Sequence, residues 1–147
     1  MASRFIAALL LAPSIALADY GSVTVDEVVS FTDGDTFTAT INDWPPIIGE
    51  RIPVRIEGIQ APERRSRCDT EAEKARERQL AADARIYLVE RLRGAETVEL
   101  RQIERGSFFR IIAEVWADGE SVGEEMLEEG YALPYVQGQG GRSWCGL

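Results

Sequence analysis

The sequence predicts a mainly β fold that carries two helices, a domain of the α+β class. A length of 147 residues, 45% hydrophobic and 28% charged, fits one globular domain. The periodic segments give the order of three strands, a helix, two strands and a second helix. A closed five-stranded barrel of the OB type suits this order because it leaves no open sheet edge. The alternative is a mixed sheet with both helices packed on one face.

Alternating apolar residues and β-branched side chains mark the predicted strands, which are residues 23–29, 36–41, 51–59, 97–103 and 108–116. The dipeptide Asp33-Gly34 lies between the first two strands and is a strong hairpin signal. The loop Asn-Asp-Trp-Pro-Pro at residues 42–46 separates the second strand from the third. We therefore expect a hairpin followed by a longer connection.

Two segments have helical signals. Residues 70–73 read Thr-Glu-Ala-Glu and fit a capping box, so the first helix should run from there to about Arg93, with Gly94 as its stop. Apolar side chains at helical spacings predict its buried face, which consists of Ala72, Ala75, Ala82, Ile86 and Val89. The second helix should run from Val122 to Glu129 and end at Gly130.

The N-terminus has the pattern of a secretory signal peptide. Arg4 precedes an apolar run over residues 5–17, and the run ends in the cleavage signal Ala16-Leu17-Ala18. An uncleaved anchor is the alternative, but about 13 apolar residues are fewer than the ~20 that span a bilayer. We expect residues 1–18 to be a signal peptide, residues 19–147 to be a single domain, and the product to be secreted or periplasmic.

Cys68 and Cys145 are the two cysteines of the chain. They are too few for a structural zinc site, but an even pair in an oxidising compartment predicts a disulfide. Such a bridge would close a loop of roughly 77 residues, for which loop-closure entropy gives an upper limit of about 4 kcal/mol. Two independent thiols are the alternative.

The chain contains no histidine, and 16 basic against 25 acidic side chains give it a net charge of −9. Without histidine, it cannot build a Ser-His-Asp or Cys-His relay or a His-liganded zinc or iron centre. The acidity also argues against a general nucleic-acid-binding surface. The charge is uneven, however: residues 51–67 hold five arginines and two glutamates, whereas residues 114–129 hold seven acids and no base. We expect the acidic segment to be mostly a solvated face.

Four motifs stand out in order along the chain, which are Asp33-Gly34-Asp35-Thr36, Arg55, Gly58-Ile59-Gln60-Ala61-Pro62-Glu63 and Arg110. Together they resemble the thermonuclease family, the staphylococcal-nuclease-like domains. That pattern has an Asp-Gly-Asp-Thr turn, an Arg-x-x-Gly-Ile-Asp-x-Pro-Glu segment, a helix, and an Arg before an apolar strand. The similarity covers nearly all of residues 23–136. Arg67-Cys68 and Trp144-Cys145 also look like the exported bacterial branch of the family.

The resemblance implies a five-stranded OB barrel of the staphylococcal-nuclease type. It also implies a metal-assisted endonuclease, a phosphodiesterase that hydrolyses DNA or RNA with little sequence preference. The implied cofactor is Ca²⁺, held by Asp35, Gln60 and the backbone carbonyl of Ala61. Asp33 and Thr36 would support these ligands. We further expect a monomer with no membrane span in the mature chain and with DNA or RNA as its partner.

Three side chains have implied catalytic roles. Glu63 would orient or deprotonate the attacking water, and Arg55 and Arg110 would donate forked hydrogen bonds to phosphate oxygens. Structural alternatives are a plain turn at Asp33, a salt bridge at Arg110, a surface position for Arg55, and pairing of Glu63 with a nearby arginine.

Gln60 departs from the family pattern, which usually has an aspartate at this position. A glutamine carbonyl can bind Ca²⁺, but the site then has one negative charge fewer, so metal binding should be weaker or altered. This leaves a second function open, a catalytically weakened nuclease-like OB module that binds nucleic acid or a protein partner. The presence of Asp35, Arg55, Glu63 and Arg110 together favours the enzyme, since a pure binding module does not need all four.

Overall fold

The computed structural model describes residues 20–136, 138, 140, 141 and 143–147. The predicted signal peptide at residues 1–18 lies outside the described residues. In the described part of the chain, no helix combines the length and the apolar character that crossing a membrane requires.

The strands in chain order are β1 (Val23–Thr24), β2 (Glu27–Phe31), β3 (Thr36–Thr40), β4 (Ile52–Ile56), β5 (Ile59–Gln60), β6 (Val98–Arg105), β7 (Ile111–Ala117), β8 (Glu120–Ser121), β9 (Leu133–Val136) and β10 (Gly140–Gly141). The helices are α1 (Pro46–Gly49), α2 (Glu71–Arg93) and α3 (Val122–Glu128). The main sheet has the order β1-β6-β7-β4-β3-β2, and β8 pairs with β7. Its neighbouring strands are antiparallel except for the parallel pair β4 and β7.

The first extended segment closes this sheet into a barrel. Its two halves, β1 and β2, pair with β6 and β3, which lie near opposite ends of the strand order. Between the halves, the Val25 N–H donates to Val98 O and the Asp26 N–H donates to Thr40 O, both at 2.9 Å. One run of chain therefore joins both edges, and the predicted OB-type α+β fold is confirmed.

Alternation along the strands separates the core from the outer face. In β4, Ile52, Val54 and Ile56 are buried, while Pro53 and Arg55 between them are only partly buried. Because successive strand residues point to opposite faces, Arg55 is left on the side of the sheet away from the core. The alternation thus buries the apolar face of β4 and leaves Arg55 on the opposite face.

Helix α2 begins and ends where the sequence predicts. Thr70 Oγ1 accepts the Glu73 N–H at 3.2 Å, and the Glu73 carboxylate accepts the Thr70 N–H at 3.1 Å, which completes the capping box. The helix ends at Arg93, and Gly94 is its C-cap.

The predicted buried face of α2 is wrong. Ala72, Ala75, Ala82 and Ile86 are exposed, and Val89 is only partly buried. The buried stripe consists of Glu77, Ala81, Ala84, Leu88 and Leu92. This stripe keeps the helical period throughout, but the charged residue at its first position hides it from an analysis based on hydrophobicity.

Three local predictions also need correction. Residues 46–49 form α1, a third helix of one turn with Pro46 at its start, where the missing N–H of proline costs nothing. The predicted strand at residues 51–59 is divided into β4 and β5 by a turn at Gly58, whose φ is +75°. Phe108 and Phe109 lie in a turn with φ of 55° and 59°, so β7 begins only at Ile111. The Gly106 N–H closes that turn on Arg110 O at 2.8 Å, which apolar patterning does not reveal.

The C-terminal segment packs back on the barrel. Strand β9 pairs with β5 on one side and with β10 on the other. Cys68 and Cys145 form a disulfide, which confirms the predicted pairing. The bridge ties the end of the chain to the segment that precedes α2.

The acidic segment is mostly solvated, as expected, since five of its seven acids are exposed, but some of these acids also have structural partners. Arg91 of α2 binds both carboxylate oxygens of Glu125 of α3, at 2.7 and 2.8 Å. Tyr87 donates a third hydrogen bond to Glu125 at 3.2 Å. Asp118 accepts the backbone N–H groups of Glu96 and Thr97, both at 2.9 Å. These acids therefore attach α3 and the turn before it to the rest of the domain.

The Glu125 link should make stability depend on pH. Hydrogen bonds from Arg91 hold the pKa of the Glu125 carboxyl below its ordinary 4.5. The unfolded chain therefore binds this proton more tightly, and the stabilisation is present above about pH 4.5 and is lost as the pH falls through the lowered pKa. We expect Glu125→Gln to lower the free energy of unfolding by about 1 kcal/mol at pH 7, since solvent screens this partly exposed pair.

Urea unfolding at pH 7 and pH 3 measures this effect, and the gap between Glu125→Gln and the parent should shrink at pH 3. Glu128→Gln is the matched control, because Glu128 is exposed on the same helix. A gap that is equal at both pH values would contradict the assignment.

Candidate functional site

Asp35 is the centre of the candidate site. It lies just before β3 and is only 3% exposed. Its Oδ1 accepts hydrogen bonds from Arg55 Nη1 at 2.8 Å and from Thr36 Oγ1 at 2.9 Å. Its Oδ2 accepts the backbone N–H of Ala61 at 2.8 Å. Four residues that the sequence assigned to one site, on three separate segments, therefore meet at one carboxylate.

Arg55 is fixed by more than its ion pair. Its Nη2 donates to Ile59 O at 3.2 Å, and its guanidinium carbon lies 5.2 Å from the centre of the Tyr135 ring. Its side chain is 18% exposed, so the surface position considered from the sequence is wrong. These bonds use two of its five N–H donors, which leaves donors for another ligand. Sequence reasoning did not assign Tyr135 to the site, although its strand β9 pairs with β5.

Gly34 lets the Asp33–Asp35 turn approach the rest of the site. A Cβ at residue 34 would lie 2.8 Å from both Ala61 Cβ and Ala84 Cβ. The turn therefore packs directly on helix α2 and on the segment after β5. The sequence correctly predicted a hairpin here, but lack of space is what requires this glycine.

Asp33 adds a second acid to the site. Its Oδ1 accepts the Asp35 N–H at 3.3 Å, so it also holds the turn as the structural alternative proposed. Burial, followed by the charge of Asp35 and a smaller contribution from Glu63, raises the pKa of Asp33 to about 6. Asp33 and Glu63 thus add negative charge near Asp35, which is itself paired with Arg55.

Glu63 has an exposed side chain beside this acidic group. Its backbone N–H donates to Glu77 Oε1 at 3.0 Å. Within the described residues its carboxylate forms no ion pair with a nearby arginine, so that structural alternative is not supported. Glu77 was missed from the sequence, and its one signal was a charge at a position on the buried period of α2.

Arg110 is placed differently from the expectation. It lines an apolar cavity of about 290 Å³ together with Phe109, Trp44 and Ile111. Its Nε is buried, and among the described residues this atom has no hydrogen-bond partner. Among the described residues, Arg110 has no ion pair with Asp35. It has no ion pair with any other acid there either, so the salt bridge that was its structural alternative is not supported. The described contacts therefore place Arg55 at the Asp35 site but do not place Arg110 there.

Gln60 carries a free oxygen next to the Asp35 contact. It precedes Ala61, and its Oε1 is buried with no partner among the described residues. Side-chain and backbone oxygens are the ligands that Ca²⁺ prefers. Asp35 has three of its roughly four acceptor positions filled, so one remains. Asp35 and Gln60 thus each offer an oxygen of the kind that an oxygen-binding cation takes.

The carboxylates do not form a ready-made cage for a metal ion. Across the described residues, at least three acidic or cysteine ligand atoms lie within 4.8 Å of one another only at Cys68, Glu77 and Cys145. Both sulfurs of that group are used by the disulfide. A cation at Asp35 would therefore depend on carbonyl oxygens as well as carboxylates.

Comparison with known proteins agrees with this geometry. The sequence model of the family of staphylococcal nuclease homologues matches residues 53–142, more than half of the chain. The chain belongs to this family. The matched range includes Arg55, Glu63 and Arg110 but begins after the Asp33–Thr36 hairpin. The assignment of Asp35 to the site of this nuclease homologue therefore depends on its hydrogen bonds to Arg55 and Ala61. Among curated proteins, no significant match to the chain was found.

Close packing at Gly34 leads to a prediction about stability and site geometry. Gly34→Ala should lower the free energy of unfolding by about 1–3 kcal/mol, because the added methyl group must push Ala61 or helix α2 away. Gly123→Ala is the matched control, since Gly123 is also buried but its nearest atoms would lie 3.5 Å or more from a new Cβ. This control should be neutral or stabilising by up to about 1 kcal/mol, because alanine favours the helix.

Urea unfolding of both glycine variants checks this prediction. Equal effects at the two positions would contradict the packing argument.

Proposed function

We propose that this nuclease homologue is an exported, metal-assisted phosphodiesterase that hydrolyses DNA or RNA with little sequence preference. The observation that carries the proposal is the buried carboxylate of Asp35, which binds Arg55 and the Ala61 N–H within one site. A phosphodiesterase needs a way to neutralise the charge of a phosphate and a group that can take a proton from water. Arg55 and Glu63 have the chemistry for these two tasks.

Ca²⁺ is the cofactor that we propose. Asp35, Gln60 and the carbonyl of Ala61 would hold it, and Asp33 would add negative charge nearby. When bound, the cation would stabilise charge that develops on the phosphate and would lower the pKa of a bound water. The unpaired buried oxygen of Gln60 supports this assignment, because a ligand there would satisfy it.

The chain's own side chains would perform the remaining steps. Glu63 is exposed, so its carboxylate is accessible to water and can accept the proton of the attacking molecule. Arg55 has free N–H donors for the phosphate oxygens, and its contacts with Asp35, Ile59 and Tyr135 fix its direction. Arg110 would supply further donors, which requires its side chain to turn from the apolar cavity towards the substrate.

Export is the second part of the proposal. The signal-peptide pattern of residues 1–18 supports it. The disulfide between Cys68 and Cys145 agrees with it, because such bridges persist in oxidising compartments. We therefore propose a secreted or periplasmic enzyme of the exported bacterial type.

A second candidate function is binding without efficient catalysis. The glutamine at position 60 favours it, since a neutral ligand binds Ca²⁺ less tightly than an aspartate. In that case the domain would be a nuclease-like OB module that holds a nucleic acid or a protein partner.

A plasmid-nicking assay separates the two functions. The wild type should nick supercoiled plasmid with Ca²⁺, and EDTA should abolish nicking. Glu63→Gln should lower the rate by roughly 10²-fold or more, because the proton acceptor is lost, and Arg110→Ala should lower it by roughly 10²–10³-fold if this donor acts in the transition state. Glu128→Gln, which removes an exposed acid elsewhere, should keep the wild-type rate.

Equal nicking by all the proteins would indicate a contaminant. A wild type that binds nucleic acid but does not cleave it with any divalent metal would favour the second function.

Gln60→Asp tests the metal site directly. The added carboxylate should tighten Ca²⁺ binding at least about tenfold, which corresponds to about 1.4 kcal/mol. Isothermal titration calorimetry measures the dissociation constant. Gln102→Asp adds the same charge at an exposed strand position and should leave the constant unchanged. No gain for Gln60→Asp would refute the role of residue 60 as a ligand.

A further inference from the structure

Glu77 is a buried acid that the proposed mechanism does not use. It is 5% exposed and lies on the stripe with which α2 packs on the barrel. In the part of the chain that the structure describes, no arginine or lysine forms an ion pair with it. Burying a carboxylate without a cation is costly, and an apolar side chain would pack at this position without that cost. Packing alone therefore does not explain the residue.

The hydrogen bond of Glu77 goes to the segment that carries Glu63. Glu77 Oε1 accepts the Glu63 N–H at 3.0 Å. Its other oxygen, Oε2, lies 3.4 Å from Cys68 Sγ. Since that sulfur is part of the disulfide, it has no hydrogen to donate. Among the described contacts, the Glu77 carboxylate therefore accepts its hydrogen bond from the N–H of Glu63.

Two carboxylates hold the two ends of the short segment 61–63. Asp35 accepts the N–H of Ala61 at 2.8 Å, and Glu77 accepts the N–H of Glu63 at 3.0 Å. Pro62 between them is fully buried. Residues 63–67 are then mostly exposed until Cys68, which the disulfide fixes. The N–H of Glu63 is therefore an anchor at the boundary between the fixed and the exposed parts of this connection.

We infer that Glu77 is a positioning residue for Glu63, an inference that rests on the proposed function. In the described residues the Glu63 side chain has no hydrogen-bond partner, so its place is set by its own backbone. The hydrogen bond from that backbone to Glu77 sets the point from which the Glu63 carboxylate reaches the substrate. Displacing a catalytic group by about 1 Å can cost up to about 10²-fold in rate.

Two substitutions at residue 77 separate the hydrogen bond from packing. Glu77→Leu fills similar space but cannot accept the Glu63 N–H, and it should lower kcat roughly 10- to 100-fold with KM changed less than about threefold. Glu77→Gln keeps an oxygen acceptor and should retain kcat within about threefold of the wild type. The assay uses the mature, disulfide-bonded chain, a short oligonucleotide and Ca²⁺, at a temperature at which every variant is folded.

Leu88→Ala is the matched control for general loosening of α2. Leu88 is fully buried on the same stripe, so this substitution should lower the free energy of unfolding while keeping the wild-type kcat. Equal losses of kcat in Glu77→Gln and Glu77→Leu, a wild-type kcat in Glu77→Leu, or an equal loss in Leu88→Ala would each overturn the inference.

Amide hydrogen exchange at Glu63 tests the anchor without any cleavage. The Glu63 N–H should exchange slowly in the wild type and in Glu77→Gln, and at least tenfold faster in Glu77→Leu. Unchanged exchange in Glu77→Leu would overturn the anchor whatever the activity. A wild type that is protected from exchange but inactive would instead refute the proposed function, so the two failures are distinguishable.

Discussion

The site depends on burying one negative charge, the carboxylate of Asp35. A carboxylate that is 3% exposed is tolerated only where donors replace the water that it loses. The donors come from Thr36 beside it, from Arg55 on β4 and from the backbone at Ala61. Because these groups lie on separate segments, satisfying the carboxylate also fixes the hairpin, the strand and the following connection relative to one another. The same hydrogen bonds therefore stabilise the fold and assemble the site.

The same solution is used elsewhere in a strongly acidic chain. Glu77 accepts the Glu63 N–H, Glu125 binds Arg91, and Asp118 accepts two backbone N–H groups. Each of these acids joins segments that are distant in sequence. These hydrogen bonds offset only part of the net charge of −9, since most acids of residues 114–129 remain exposed. Near Asp35, the acids Asp33 and Glu63 add negative charge beside Arg55, which keeps free N–H donors.

The sequence predicted features that depend on local chemistry and missed those that depend on distant contacts. The hairpin at Asp33-Gly34 and the capping box of α2 follow from short motifs, and both are correct. The meeting of Asp35 with Arg55 was foreseen through family resemblance, because no local pattern links residues 20 positions apart. The prediction of the buried face of α2 was wrong because the charged residue Glu77 lies on that face. The partner of Glu77 is a backbone N–H, which the sequence does not reveal. The turn at Phe108 and Phe109 was missed because apolar aromatic residues are typical of strands.

Three buried polar atoms without partners bear on the proposed ligand. Among the described residues, three buried side-chain atoms have no hydrogen-bond partner, namely Gln60 Oε1, Arg110 Nε and Trp144 Nε1. A buried polar atom that is left without any partner costs about 1–3 kcal/mol, a large part of the stability of a small domain. Two of the three belong to residues that the sequence assigned to the site. A domain that only had to fold would gain stability by replacing them with apolar side chains. The unpaired oxygen of Gln60 therefore supports the proposed cation, whereas the unpaired Nε of Arg110 lies at the apolar cavity and would gain a phosphate partner only after the side chain turned towards the substrate.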